Sequence, residues 1–325
     1  MTPKVLSEDR LRDLVGFDLE ALAAVEEAFR WLADGRATVP PILHIEVPQG
    51  GGDVDVKSAV VEGLDSFAIK MASGFAHNAE KGLATGSGLM VVLSAETGFC
   101  QAVLLDNGYL TDLRTALAGA VAAKYLAPRT FETAGVIGTG VQARLQIRAL
   151  RLVRDFRRLV VWGRTPERVE AYRRDLEDSL GVEVVEVSEP DEVLRRSRCA
   201  VTTTSSREPL VTAAGLHPGL HITAVGSDFP GKQELSGEIL QRADLVACDL
   251  AAQVCRFGEL QHLAGETRPA LVELGGIVTG RHPGRGSEEQ VTICDLTGVG
   301  VQDTAISLFA LGRAGGGPGT LENQG

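Results

Sequence analysis

The segment "TAGVIGTGVQARLQIRAL" constrains this chain more than any other, because it carries an apolar strand directly into a helix through Gly138, Gly140 and Ala143. So tight a strand-to-helix turn needs Gly138, close approach of a pyrophosphate needs Gly140, and a small residue at 143 lets the helix pack on its sheet. The helix N-terminus then aims its amides at phosphate. The pattern predicts a dinucleotide site, with a purely structural glycine turn as the alternative. Around it, short β-branched runs ("RLVVWG", "VEVVEV", "CAVTTT", "HITAVG", "DLVAC") alternate with helical patterns at 142–154, 166–179 and 236–242. Apolar strands in that alternation predict an α/β fold with a doubly wound parallel sheet of the Rossmann type.

The N-terminal part has a different texture. Residues 7–35 show helical spacing in two segments, with Asp18 placed to cap the second. From Ile42 to Leu105, runs such as "ILHIEV", "DVDVKSAVV" and "FAIKMAS" are separated by turn residues and read as strands of a largely antiparallel sheet. A helix follows at about 111–126, stopped by Pro128. This divides the chain into an α+β domain over 1–127 and a nucleotide-binding domain over 128–303. A last apolar helix, about 304–314, returns to the first domain, and the glycine-rich 315–325 reads as a disordered tail.

Charge and composition exclude several classes. With 32 Lys+Arg against 43 Asp+Glu in 325 residues, the net charge of -11 repels phosphate backbones, so no nucleic-acid partner is expected. No apolar run approaches the ~20 residues that cross a bilayer, and "MTPKVLSEDRLRDL" is acidic where a signal peptide is basic, so no membrane partner and a cytoplasmic location are expected. The five cysteines (Cys100, Cys199, Cys248, Cys255, Cys294) are scattered and read as reduced thiols. His217, His221 and His262 lack metal-ligand spacing, and "TGSGLM" around Ser87 lacks a nucleophile elbow. Neither a metal nor a serine nucleophile is expected.

The second strand of the nucleotide domain runs out in "LVVWGRTPER", with Arg164 and Thr165 where an NAD site usually has a carboxylate. A guanidinium and a hydroxyl suit a 2′-phosphate, so NADP(H) is favoured and NAD(H) is possible. Four further polar residues stand out. Asp228, in "AVGSDFPGKQEL" after an apolar strand, reads equally as a general acid or base and as a helix cap. Lys70, inside "FAIKMAS", needs an ion pair or an anionic ligand if buried. Lys57 reads as a functional cation or as a lysine on a solvent face. Arg114, near a helix start, faces a bound carboxylate or pairs with Asp112 or Asp106.

Taken together, "IKMASGFAHNAEKGLATGSG", "LLDNGYLTDLRTALAGAVAAKYLAP", the glycine loop, "VGSDFPGKQEL", "GELQH" and "DLTGVGVQDTA" resemble the ornithine cyclodeaminase/mu-crystallin family over nearly the whole chain. Within it, "PPILHIEV" and "DVDVKSAVVEGLDSFAIKMASGF" are most similar to the ectoine-utilisation cyclodeaminase-like proteins, with iminosuccinate reductases as near relatives. The resemblance implies a homodimer built through the N-terminal domain, which also binds substrate, and an active site in a cleft beside a Rossmann domain. It implies that Lys57, Lys70 and Arg114 are cations for the substrate carboxylate and imine, with Lys70 catalytic and Arg114 also near the cofactor. Asp228 matches the catalytic acid/base. Gly138, Gly140, Val141 and Gln142 match the pyrophosphate loop, Thr85 a cofactor contact from the first domain, and Val225, Thr297 and Gly298 the nicotinamide surroundings. One departure is informative. Ornithine cyclodeaminases carry an arginine just after "PP", where this chain has Ile42, Leu43 and His44. His44 either takes over part of that interaction for a different acid or lines the sheet.

The chemistry implied is hydride exchange between nicotinamide and the α-carbon of a small amino or imino acid. The first expectation is an imine reductase, in ectoine or hydroxyectoine breakdown. The alternatives are a redox-neutral cyclodeaminase with catalytic NAD+ and a non-catalytic nucleotide-binding protein of the mu-crystallin kind.

Overall fold

The computed structural model describes residues 2–263 and 267–315, so the expected tail lies, except for Gly315, outside the described residues. The chain forms two compact units, residues 1–114 with 299–325 and residues 115–298. The first division falls inside a helix, ahead of the 127/128 boundary expected at Pro128, and the second comes at residue 298 rather than 303.

Unit one opens with β1 (Lys4–Ser7), α1 (Glu8–Leu14) and α2 (Leu19–Ala33). Asp18 caps α2 as its sequence position predicts, accepting from Ala21 N–H at 2.7 Å. Strands β2 (Ala37–Thr38), β3 (Leu43–Val47), β4 (Gly52–Val61), β5 (Ser66–Phe75), β6 (Gly86–Ser94) and β7 (Cys100–Leu105) follow. They form a sheet ordered β1-β7-β6-β5-β4-β2, with β3 also on β4. Every pair is antiparallel except β1 with β7. Side chains alternate between faces along a strand, so register decides which residues meet. One face buries Ala59, Ala68, Met90, Val92 and Leu104. The other is apolar too, with Leu43, Val56, Met71 and Leu89 in one cross-strand row, yet none of these four is buried.

Helix α3 (Tyr109–Leu126) leads into unit two. There β8 (Thr133–Ile137), α4 (Val141–Leu150), β9 (Arg158–Trp162), α5 (Pro166–Leu180), β10 (Glu183–Glu186), α6 (Pro190–Arg196) and β11 (Cys199–Thr202) alternate as the sequence predicts. Next come β12 (Arg207–Val211), β13 (His221–Ala224), β14 (Gln233–Leu235), α7 (Gly237–Arg242), β15 (Leu245–Cys248), α8 (Ala251–Phe257), β16 (Leu271–Glu273), α9 (Leu274–Val278) and β17 (Thr292–Asp295). The eight-stranded sheet is ordered β10-β9-β8-β11-β13-β17-β15-β16 and is parallel throughout. This bears out the α/β, Rossmann-type expectation. The strand order reverses direction between β8 and β11, the crevice where such sheets bind nucleotides. Helix α4 stops at Leu150, short of the expected 154, and Arg154 turns instead to the open carbonyls of α3, bonding Ala123 at 2.9 Å and Ala127 at 3.1 Å.

The last helix, α10 (Gly300–Arg313), belongs to unit one and packs on α2, β4 and β5. Thr304 ties it to the sheet, accepting from Ala68 N–H at 3.2 Å and donating to the Ala59 carbonyl at 2.9 Å. Its start lies so near β4 that a Cβ on Gly300 would strike the Ser58 backbone. Gly300→Ala is therefore expected to lower stability by about 1–3 kcal/mol, as overpacking does, read as a shift of the urea midpoint. A neutral effect would show that α10 does not need this approach.

Candidate functional site

In unit one the β4–β5 register sets Lys57 directly opposite Lys70 on the buried sheet face. Like charges opposite each other disfavour a sheet, and the cost grows out of water. Both are buried, at 8% and 2% exposure, so the solvent-face reading of Lys57 is overturned: α10 packs on β4 and β5. Arg114, on α3, is also buried. Its ion pair is with Asp303 of α10, Nε to Oδ1 at 2.9 Å, and Asp303 Oδ2 lies 3.4 Å from Lys70 Nζ. This replaces the expected local pairing with Asp112 or Asp106. Asp106 instead starts α3, accepting from Leu110 N–H at 2.8 Å.

Lys57, Lys70 and Arg114 thus come together, and the carboxylate that joins two of them was not identified from sequence. Burial, reinforced by the Arg114 and Lys57 charges, pulls the Lys70 ammonium down to about 7, although Asp303 works in the other direction. His44 faces Asp55 across β3 and β4, Nδ1 to Oδ1 at 2.8 Å, on the same sheet face as Lys57. Thr85 is exposed just ahead of β6.

In unit two, Gly138 has φ +116° at the end of β8, and a Cβ there would meet Thr203 Oγ1 at 2.6 Å. Gly140 caps α4 with open space where its side chain would stand, and Val141 behind it is 60% exposed. Gln142 is half-buried on the first turn, its Oε1 accepting from Gln146 at 3.4 Å. A bare helix N-terminus beneath open space fits a pyrophosphate. Arg164 is exposed after β9, and Thr165 caps α5 without using its hydroxyl for the purpose.

Thr297 and Gly298 are pinned by buried Asp249, whose Oδ2 accepts from both backbone amides at 2.7 Å. Burial raises the Asp249 carboxyl above its ordinary range while these donors oppose the shift. Val225 is buried just after β13. Asp228 follows in a turn that leads to β14, not to a helix, which overturns the capping alternative. Its carboxylate is half exposed and meets Lys232 Nζ at 2.6 Å.

The motifs around Asp228 carry side chains that bond the surrounding backbone. Glu234, of "GKQEL", accepts from Thr202 Oγ1 at 2.6 Å and Gly226 N–H at 2.9 Å, joining the ends of β11 and β13. Glu259, of "GELQH", accepts from the Glu234 and Leu235 amides at 2.8 and 3.0 Å. Burial and the neighbouring Glu234 push Glu259 up to about 8. Gln261 holds the Asp228 turn through Gly231 N–H at 2.8 Å and the Phe229 carbonyl at 3.2 Å, and His262 Nε2 contacts the Lys232 carbonyl at 2.7 Å.

The family model for ornithine cyclodeaminase/mu-crystallin proteins matches residues 2–315. The chain belongs to this family, as the motifs predicted. It is 45% identical over 318 residues to an uncharacterized cyclodeaminase of Sinorhizobium fredii, covering 96% of each chain. Among solved structures it is similar to an archaeal alanine dehydrogenase dimer with bound NAD, with TM-score 0.88, 35% identity, and coverage of 97% and 96%. It is likewise similar to the iminosuccinate reductase of Paracoccus denitrificans in complex with NAD+, with TM-score 0.87, 31% identity, and 96% of both chains covered.

The low proton affinity of Lys70 has a measurable consequence. Below pH about 7 it is protonated in both folded and unfolded chains; between about 7 and its ordinary 10.5 only the unfolded chain keeps the proton, so stability rises with pH across that window. In urea titrations at fixed pH, the wild type is expected to gain on Lys70→Met as pH climbs from about 7 to about 10. A pH-independent difference would mean that folding leaves the Lys70 ammonium unperturbed.

Proposed function

We propose that this chain is an NAD(P)H-dependent reductase of a small amino-acid-derived imine. The observation that carries the reading is the sharing of one buried carboxylate, Asp303, between two buried cations, Lys70 and Arg114. Such a cluster has capacity for a second anion, and the substrate's carboxylate supplies it. Its arrival returns proton affinity to Lys70, which then stands charged beside the imine. Lys57 and His44, on the same sheet face, complete the substrate side.

The glycine turn of Gly138 and Gly140, with Val141 and Gln142, would hold the pyrophosphate, and Arg164 and Thr165 would favour a 2′-phosphate; Arg114 and Thr85 are the further cofactor contacts that the family resemblance implies. Val225, Thr297 and Gly298 surround the nicotinamide, which when bound supplies hydride to the imine carbon. Asp228, kept in place by Lys232 and by the turn that Gln261 grips, is the acid/base that would manage the proton on the imine nitrogen. Ectoine breakdown, which the motif resemblance alone implies, is the setting to test first.

A second reading is favoured by the 45% identity to the Sinorhizobium cyclodeaminase. The same residues would then hold a diamino acid, for which bound NAD+ would supply the oxidant that makes the imine and, once the second amine has displaced ammonia, the hydride that reduces the cyclic imine. The two are separated by one assay. NADPH and NADH are offered with iminosuccinate, Δ1-pyrroline-2-carboxylate, or pyruvate plus ammonia, and ornithine, lysine and diaminobutyrate with NAD+. Stoichiometric oxidation of reduced cofactor is expected; ammonia release without net absorbance change would support the cyclodeaminase instead. Asp228→Asn should lower kcat by about a hundredfold or more while cofactor affinity is kept, and an unchanged kcat would remove Asp228 from the chemistry. Arg164→Ala should raise KM for NADPH about tenfold relative to NADH, and equal effects on both would assign Arg164 to solvent.

The open apolar sheet face supports a homodimer, the state of the similar alanine dehydrogenase. A charge at its centre, Met71→Glu, is expected to give monomers in light scattering; persistence of a dimer would place the interface elsewhere.

A further inference from the structure

Gln302, in the first turn of α10, carries a polar atom that the fold leaves unsatisfied. Its Oε1 accepts from Arg114 Nη1 at 2.9 Å and from Val299 N–H at 3.4 Å. Arginine is a donor only, so the amide must turn its oxygen to that side, and the orientation is fixed by chemistry. Nε2 therefore faces away from the guanidinium. It is buried, as is the whole residue, and has no hydrogen-bond partner among the described residues. Folds pair nearly all such donors, so an orphan needs a reason.

Orienting Arg114 is not that reason. A glutamate would accept from the guanidinium more strongly, through a charge-assisted bond, and would leave no buried N–H unpaired. Glutamine is the residue that serves Arg114 with one atom and keeps a donor on the other. Arg114, which Gln302 meets, shares Asp303 with Lys70, so this donor lies on a side chain at the same knot of cations. A donor beside two cations calls for an anionic oxygen.

We propose that Gln302 is a substrate-binding residue whose Nε2 donates to the carboxylate that Lys70 and Arg114 hold. The proposal rests on the carboxylate-binding reading given above and adds a contact to it. It requires no movement of charge, only that one carboxylate oxygen accept from Gln302 while the other faces the cations.

The test compares wild type with Gln302→Glu, which keeps an acceptor for Arg114 and removes the donor, and with Gln302→Met, which removes both. Pyrrole-2-carboxylate, a planar unreactive carboxylate, and pyruvate are titrated calorimetrically into each protein saturated with NADPH or NADH, with thermal melts to confirm folding. Both variants are expected to bind these carboxylates about ten- to a hundredfold more weakly, with cofactor affinity unchanged and KM for the turned-over imine raised more than kcat is lowered. Carboxylate affinity in Gln302→Glu equal to or above wild type would overturn the proposal, leaving Gln302 as an orienting partner of Arg114, while the wider reading stood. Failure of the wild type itself to bind either carboxylate would overturn that reading and the proposal with it. Should Gln302→Met not fold, Gln302→Glu, nearly the same shape, still decides.

Discussion

One carboxylate has two buried cations to satisfy. Asp303 is fully enclosed and is shared by Lys70 from the central strand β5 and Arg114 from α3, so the last helix of the chain closes the charge balance of the sheet. Breaking such a buried pair by deleting one partner is costly, because the survivor keeps its charge without compensation. The arrangement is a poor choice for stability alone, since apolar residues of similar volume would pack the same space at no electrostatic penalty. Two lysines in direct register make it worse, and burial, with the Arg114 and Lys57 charges added, lowers the Lys70 proton affinity. The expense is understandable where an anion must be gripped out of water.

The second unit shows a complementary use of buried charge. Glu234, Asp249 and Glu259 lie at the carboxyl edge of the parallel sheet, each accepting two or more hydrogen bonds from loop backbone or hydroxyls. They hold in place the loops that carry Val225, Asp228, Thr297 and Gly298, and burial raises the proton affinity of all three carboxyls. A side chain that must meet a substrate within a fraction of an ångström is best mounted on a turn whose amides are already committed.

Much of this was legible beforehand. The glycine turn, the alternation of strand and helix, the Asp18 cap and the strands of the first sheet are local patterns, and local sterics and periodicity are what a sequence displays directly. The family motifs marked "GKQEL" and "GELQH" without revealing that their glutamates tie together the ends of β11, β13 and β14 and that Gln261 bonds the turn after Asp228. The alternatives left open at Lys57 and Arg114 were questions of distant partners, and no spacing rule addresses those; at Asp228 the question was whether a helix or a strand follows the turn. Gln302 and Asp303 sat unnoticed within "DLTGVGVQDTA", where a polar pair in the first turn of an apolar helix looks like an ordinary start.

The sequence by itself determined that a glycine turn carries an apolar strand into a helix, that a parallel and a largely antiparallel sheet follow from two different hydrophobic rhythms, and that a few cations stand in unusually apolar company. Only the tertiary structure decided which charges face each other, that Lys57 is buried rather than solvated, and that a glutamine near the end of the chain presents an unused donor beside Arg114. The physical reason is that periodicity is set by bonds along the backbone, whereas the energy of a buried charge is set by whatever lies within a few ångströms of it, and in this fold those neighbours come from opposite ends of the chain.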